Sequence, residues 1–150
     1  MNINVTDAAV KLLKFRAYSQ YELKNKLLKE GYEEMVVNQA LKYVTERGYL
    51  DDAALCDMLL AKYAEINKYS LREVFVKLQR RGLPAALINE KLAGWNGEFV
   101  EYQAALRLVA KRFPDGQRED RRKVARYLSS KGFKAGTVGK VLEHLRNMSP

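Results

Sequence analysis

The chain has 150 residues, with 27 Lys+Arg against 18 Asp+Glu, one His, one Cys and a net charge of +9. A hydrophobic fraction of 47% with 30% charged residues excludes a disordered chain, and the single cysteine, Cys56, excludes an internal disulfide framework. No apolar run approaches the roughly 18 residues that span a bilayer, and the opening MNINVTDAAVKLLK lacks the basic-then-apolar order of a secretory signal, so a cytoplasmic protein without membrane contact is expected. Apolar residues recur at helical spacing, as in Val37, Ala40, Leu41 and Val44, then Leu71, Val74, Phe75 and Leu78, then Val138, Val141, Leu142 and Leu145. No stretch alternates with period two beyond a few residues, so the predicted fold class is all-α. In chain order the predicted helices are 7–17, 20–30 and 34–47, then 53–66, 71–81 and 84–95, then 99–112, 120–131 and 136–148. Pro84 suits a helix start, where the missing N–H has no partner to lose. Phe113-Pro114-Asp115-Gly116 reads as a turn.

These helices form a repeat. Gly31, Gly82 and Gly132 stand 51 and 50 residues apart. Leu27, Leu78 and Leu128 precede them by one helical turn, and Leu23, Val74 and Val124 by two. Tyr32, Leu83 and Phe133 follow directly, then Val37, Ile88 and Val138. Leu41, Leu92 and Leu142, then Val44, Trp95 and Leu145, complete six aligned apolar columns. Ser19, Ser70 and Asp120 occupy the N-cap column. Glu22 and Glu73 complete capping boxes, whereas Lys123 stands there in the third repeat. Each glycine falls where a C′ residue must turn left-handed to stop a helix. Three tandem three-helix repeats, over 1–52, 53–97 and 98–150, are therefore expected as an elongated, modular array.

The charge is graded along the repeats. Residues 1–52 hold 8 basic and 8 acidic residues, 53–97 hold 7 and 4, and 98–150 hold 12 and 6. The excess clusters on the second helices: Arg72, Lys77, Arg80 and Arg81 on one, and Arg121, Arg122, Lys123 and Arg126 on the other. Lys111 and Arg112 close the helix before the latter. Flanking an apolar stripe, these side chains should project outward. Singly, each reads as part of a solvated face. Together they point to a binding surface, because neighbouring like charges repel until a partner neutralises them. Arginine-rich clusters suit carboxylate or phosphate, whose two oxygens a guanidinium can bond at once.

No catalytic constellation accompanies that surface. His144 is the one histidine and sits near a helix C-terminus, where a structural role is expected. Cys56, beside Leu55, Met58 and Leu59, reads as a small core hydrophobe. One Cys and one His make no zinc site, and Gly94-Trp95-Asn96-Gly97 lacks the phosphate-loop spacing, so no metal or cofactor is expected. Asp51-Asp52 is better explained by helix capping than by a metal pair. Tyr18, Tyr32, Tyr49, Tyr69 and Tyr127 lie near helix ends, which favours inter-helix packing over base stacking.

Gly48-Tyr49-Leu50-Asp51-Asp52 resembles the signature of the RecX regulators of the bacterial RecA recombinase. So does Tyr18-Ser19-x-x-Glu22-Leu23-x-x-x-Leu27 leading to Gly31-Tyr32, and Arg81-Gly82-Leu83 and Lys131-Gly132-Phe133 resemble the family's later stops. The likeness runs from about residue 8 to 146; Pro84 departs from it, where the family often has a polar cap. The resemblance implies three tandem three-helix repeats in a curved molecule. It also implies a non-enzymatic regulator that lies in the groove of the RecA–DNA filament. Such regulators inhibit strand exchange, ATP hydrolysis and the coprotease activity, and so modulate DNA repair and the SOS response. It supplies no contact residues, so the binding surface rests on the charge pattern. DNA, single- or double-stranded, is the further partner to consider. The alternative reading is a protein that binds the DNA phosphate backbone directly through its basic helices. Ordinary amphipathic stripes without a sustained heptad favour a monomer.

Overall fold

The computed structural model describes residues 4–115 and 120–148, which hold nine helices and no strand. They are α1 (Val5–Phe15), α2 (Gln20–Lys29), α3 (Glu34–Glu46), α4 (Asp52–Ile66), α5 (Leu71–Arg80), α6 (Ala85–Ala93), α7 (Gly97–Arg112), α8 (Arg121–Ser130) and α9 (Ala135–Met148). The all-α reading therefore holds, and every predicted helix exists. Three helices moved by more than a residue at one or both ends, among them α7, which starts at Gly97, two residues before the predicted 99. Helix α1 starts two residues early because the Asn4 side chain accepts the Thr6 N–H at 2.8 Å, and it ends at Phe15 because Arg16 is extended. Helix α6 stops at Ala93, before Trp95, and Asn96 then turns left-handed with φ 46°. Pro84 lies just outside α6, its carbonyl accepting the Ile88 N–H at 3.0 Å. Pro114 and Asp115 turn after α7, while Gly116 lies outside the described residues.

The glycine stops are as predicted. Gly31, Gly82 and Gly132 have φ of 100°, 80° and 90°. In each, the residue after glycine donates to the column leucine: Tyr32 to Leu27, Leu83 to Leu78, and Phe133 to Leu128, at 3.3, 3.3 and 3.1 Å. The glycine N–H bonds the next carbonyl, which completes the Schellman pattern. Gly48 ends α3 in the same way, with Tyr49 donating to Val44 at 2.9 Å.

The chain divides into two compact units, one of residues 1–59 and 78–88, the other of residues 60–77 and 89–150. In the first, Leu23, Leu27, Val37, Leu41, Val44 and Leu50 form a core with Ala9. In the second, Ala104, Ala105 and Val109 of α7 pack with Val124 and Leu128 of α8 and Val138 and Val141 of α9, closed by Phe113 and Phe133. The column residues thus supply the cores, which turns the opposite, charged faces of α2 and α8 outward.

Candidate partner-binding surface

Within the first unit, the N-terminus of α2 receives bonds from distant parts of the chain. The Ser19 hydroxyl accepts the Glu22 N–H at 3.1 Å and donates to the Arg81 carbonyl, which ends α5. Glu22 completes the capping box by accepting the Ser19 N–H at 2.9 Å. Arg81 Nε lies 2.9 Å from Glu22 Oε2, and its guanidinium also donates to the Ala17 carbonyl. Asp52 accepts the Gln20 N–H at 2.8 Å, satisfying a first-turn donor of α2, while Asp51 caps α4 through the Ala54 N–H at 3.0 Å. Gly82 lies flat against Tyr21.

Within the second unit, the N-terminus of α5 is built alike. The buried Ser70 hydroxyl accepts the Glu73 N–H at 3.2 Å and donates to the Lys131 carbonyl at 3.0 Å. Glu101, fully buried on α7, accepts the Leu71 N–H at 3.0 Å and the Thr137 hydroxyl. Gly132 packs on Ser70 and Arg72. A serine at these two caps must accept and donate at once, which an aspartate cannot do. Asp120, whose side chain accepts the Arg122 N–H at 2.8 Å, caps α8 at an exposed position with acceptors alone.

Of the ten basic side chains singled out by sequence, the structure leaves eight exposed, on units described separately. Arg80 is exposed in the first unit; Lys111, Arg112, Arg121, Arg122, Lys123 and Arg126 are exposed in the second. Arg81 corrects the outward projection expected of it, because its guanidinium is held by Glu22 and the Ala17 carbonyl. Lys77 is half-buried, its ammonium 4.7 Å from the Tyr69 ring centroid. Arg72 is exposed, but its stem covers Gly132. The densest exposed group is therefore the outer face of α8, whose inner face carries Val124 and Leu128 at 0% exposure.

The acids of the first unit titrate unlike free ones. Burial raises Glu22, but the Arg81 hydrogen bond, the Ser19 N–H and the charges of Arg81 and Arg16 outweigh it, so its pKa falls below 4.5. Asp52 rises above 3.8, chiefly through burial, with the Gln20 N–H opposing and Asp51 and Glu22 adding. The signs for stability are opposite. Glu22 stabilises the fold above its unfolded pKa, and that contribution is lost as pH falls through its lowered folded value. The contribution of Asp52 is present below its unfolded pKa and is lost as pH rises through its raised folded value. Carboxyl-carbon NMR should place the Glu22 midpoint below an ordinary glutamate and Asp52 above an ordinary aspartate. In Arg81→Met the Glu22 midpoint should rise, because burial is then opposed only by the Ser19 N–H and the Arg16 charge. An unmoved midpoint would show that Arg81 does not hold Glu22.

Two family models match the chain: the first three-helix domain of RecX over residues 7–43 and the third over residues 100–142. The regulatory protein RecX of Chlorobium limicola is 26% identical over 95% of this chain and 89% of its own length. That of Deinococcus radiodurans is 30% identical over 95% of this chain and 68% of its own length. The chain belongs to the RecX family. A crystal structure of RecX from Lactobacillus salivarius superposes with a TM-score of 0.81 at 14% identity, covering 96% of each chain, which shows a common fold. In RecX terms, the matched segments hold α1 with α2 and most of α3, and most of α7 to α9.

The remaining sequence candidates fall as follows in this RecX chain. Cys56 is buried, as a core residue should be. Among the described residues, no group of three or more His, Cys, Asp or Glu side chains could hold a metal ion, and no helix is long and apolar enough to cross a membrane. His144 lies on an open groove between α7 and α9 with Phe99, Tyr102 and Lys140. Tyr69 and Tyr127 pack edge-on against Tyr63 and Phe113, each with ring centroids 5.6 Å apart, whereas Tyr49 is 56% exposed. Sequence reasoning missed Glu101 and the second role of Asp52, since both bond a backbone N–H about thirty residues away.

Proposed function

We propose that this chain is a cytoplasmic regulator that binds the RecA–DNA filament in its groove and restrains it, lowering strand exchange, ATP hydrolysis and coprotease activity. DNA repair and the SOS response are then the processes it modulates. Its relatives are named regulatory proteins, which supports a binder in place of a catalyst. The observation that carries the reading here is the outer face of α8, where Arg121, Arg122, Lys123 and Arg126 are all exposed on one short helix. Such a face suits acidic protein surface or the phosphates of bound DNA. Tandem repeats over 1–52, 53–97 and 98–150 would let linked contacts reach more than one filament subunit, raising avidity without one strong site.

Reversing Arg121, Arg122 and Arg126 to glutamate should raise the concentration needed to inhibit RecA ATP hydrolysis on single-stranded DNA by about tenfold or more. Helical circular dichroism should stay intact, because these side chains do not enter the core. Undiminished inhibition by a folded variant would remove α8 from the interface. The same arginines favour a second reading, direct binding to the DNA backbone. That reading requires tight, steeply salt-dependent binding to DNA without recombinase.

A further inference from the structure

The bonds that end α5 on α2, and those that end α8 on α5, follow one pattern. A C-cap residue and its glycine sit on the N-terminal turn of another second helix. Arg81 and Gly82 meet Ser19, Tyr21 and Glu22. Lys131 and Gly132 meet Ser70 and Arg72; Glu73 shares the sequence position of Glu22, and its N–H bonds the Ser70 hydroxyl. The chain holds one more copy of each half. Helix α2 ends in exposed Glu30 and Gly31, and a Cβ on Gly31 would meet nothing within 4 Å. Helix α8 begins with Asp120, Arg121, Arg122 and Lys123, all exposed.

The charges of these outer halves are exchanged. The third residue of the turn is acidic in both internal joints, Glu22 and Glu73, and the C-cap is basic, Arg81 and Lys131. In the outer halves the turn has Lys123 and the C-cap is Glu30. Each outer half therefore attracts the other and repels the internal ones, which is how a specific pairing excludes its competitors. We infer that the two outer halves are surfaces for a second copy of this chain. Glu30 and Gly31 of one copy seat on the Asp120–Lys123 turn of another, and Arg122 covers Gly31 as Tyr21 covers Gly82. The 3.9 Å pair that Glu30 makes with Lys26 is a loose surface contact and gives way to the closer one. Asp120 offers no hydroxyl to the Glu30 carbonyl, so this joint is weaker than the internal ones and opens readily. Its halves differ, so the contact is heterologous and extends from copy to copy, in place of the monomer expected from the helix patterns.

Sedimentation velocity of the full chain tests this. The average mass should rise with protein concentration at low salt and fall as salt is added. Glu30→Lys and Lys123→Glu should each weaken association about tenfold, and the variant carrying both should restore it, because the pair re-forms with its signs reversed. A single-chain mass over the whole concentration range overturns the inference. So does association that neither variant disturbs, or a double variant that folds and fails to recover. Glu30 lies outside the basic face of α8, so Glu30→Lys separates self-association from filament inhibition.

Discussion

Gly82→Ala should cost about 3 kcal/mol or more in denaturant unfolding, while Gly31→Ala costs about 1 kcal/mol. Both glycines stop second helices with positive φ, 80° and 100°, so both variants carry the left-handed penalty of an added Cβ. Only one meets an obstacle. A Cβ at Gly82 would lie 2.5 Å from Tyr21 Cδ1 and 2.6 Å from Tyr21 Cβ, whereas one at Gly31 meets nothing within 4 Å. Because Tyr21 Cβ is fixed to its backbone, rotating the ring away does not relieve the contact, and the ends of α2 and α5 must part. The excess over Gly31→Ala measures that close approach. Equal losses at the two sites would show that Gly82 is needed for its dihedral angles alone.

Glu101→Ala should destabilise by about 3–5 kcal/mol, and Glu101→Gln by markedly less, in the same unfolding measurement. The carboxylate is fully buried and holds two donors, the Leu71 N–H and the Thr137 hydroxyl. Alanine leaves both without acceptors and opens a void beside Ala104 and Ala105 on α7. Glutamine keeps the volume and an oxygen for Leu71, and the threonine hydroxyl can turn to accept from the amide. A loss from Glu101→Ala no greater than that of an exposed substitution would mean that water replaces the carboxylate.

What was legible in the sequence was what a helix fixes locally. Ser19 and Glu22 lie three residues apart, and Leu27 and Gly31 four, so cap, column and stop can be read along a single helix. The basic face of α8 was legible for the same reason, since Val124 and Leu128 mark the side turned away from it. Arg81 was not, because a charge count cannot tell a guanidinium facing solvent from one facing Glu22, 59 residues away. Asp52 and Glu101 were hidden likewise: each bonds a backbone N–H on another helix, which no spacing within a helix reports. One trace did exist. Ser19 to Arg81 spans 62 residues and Ser70 to Lys131 spans 61, so the contact recurs with the period of the glycines.

The two-way serine bears on how such a chain can lengthen. A newly duplicated repeat appended after the third would find Asp120, a cap with no hydroxyl to give its carbonyl. Gene duplication alone would therefore yield a poorly seated addition until aspartate became serine there. Deleting the third repeat has the converse cost, stranding the hydroxyl of Ser70, which donates to the Lys131 carbonyl. The identity of one capping residue thus decides how well another helix end can seat on that turn.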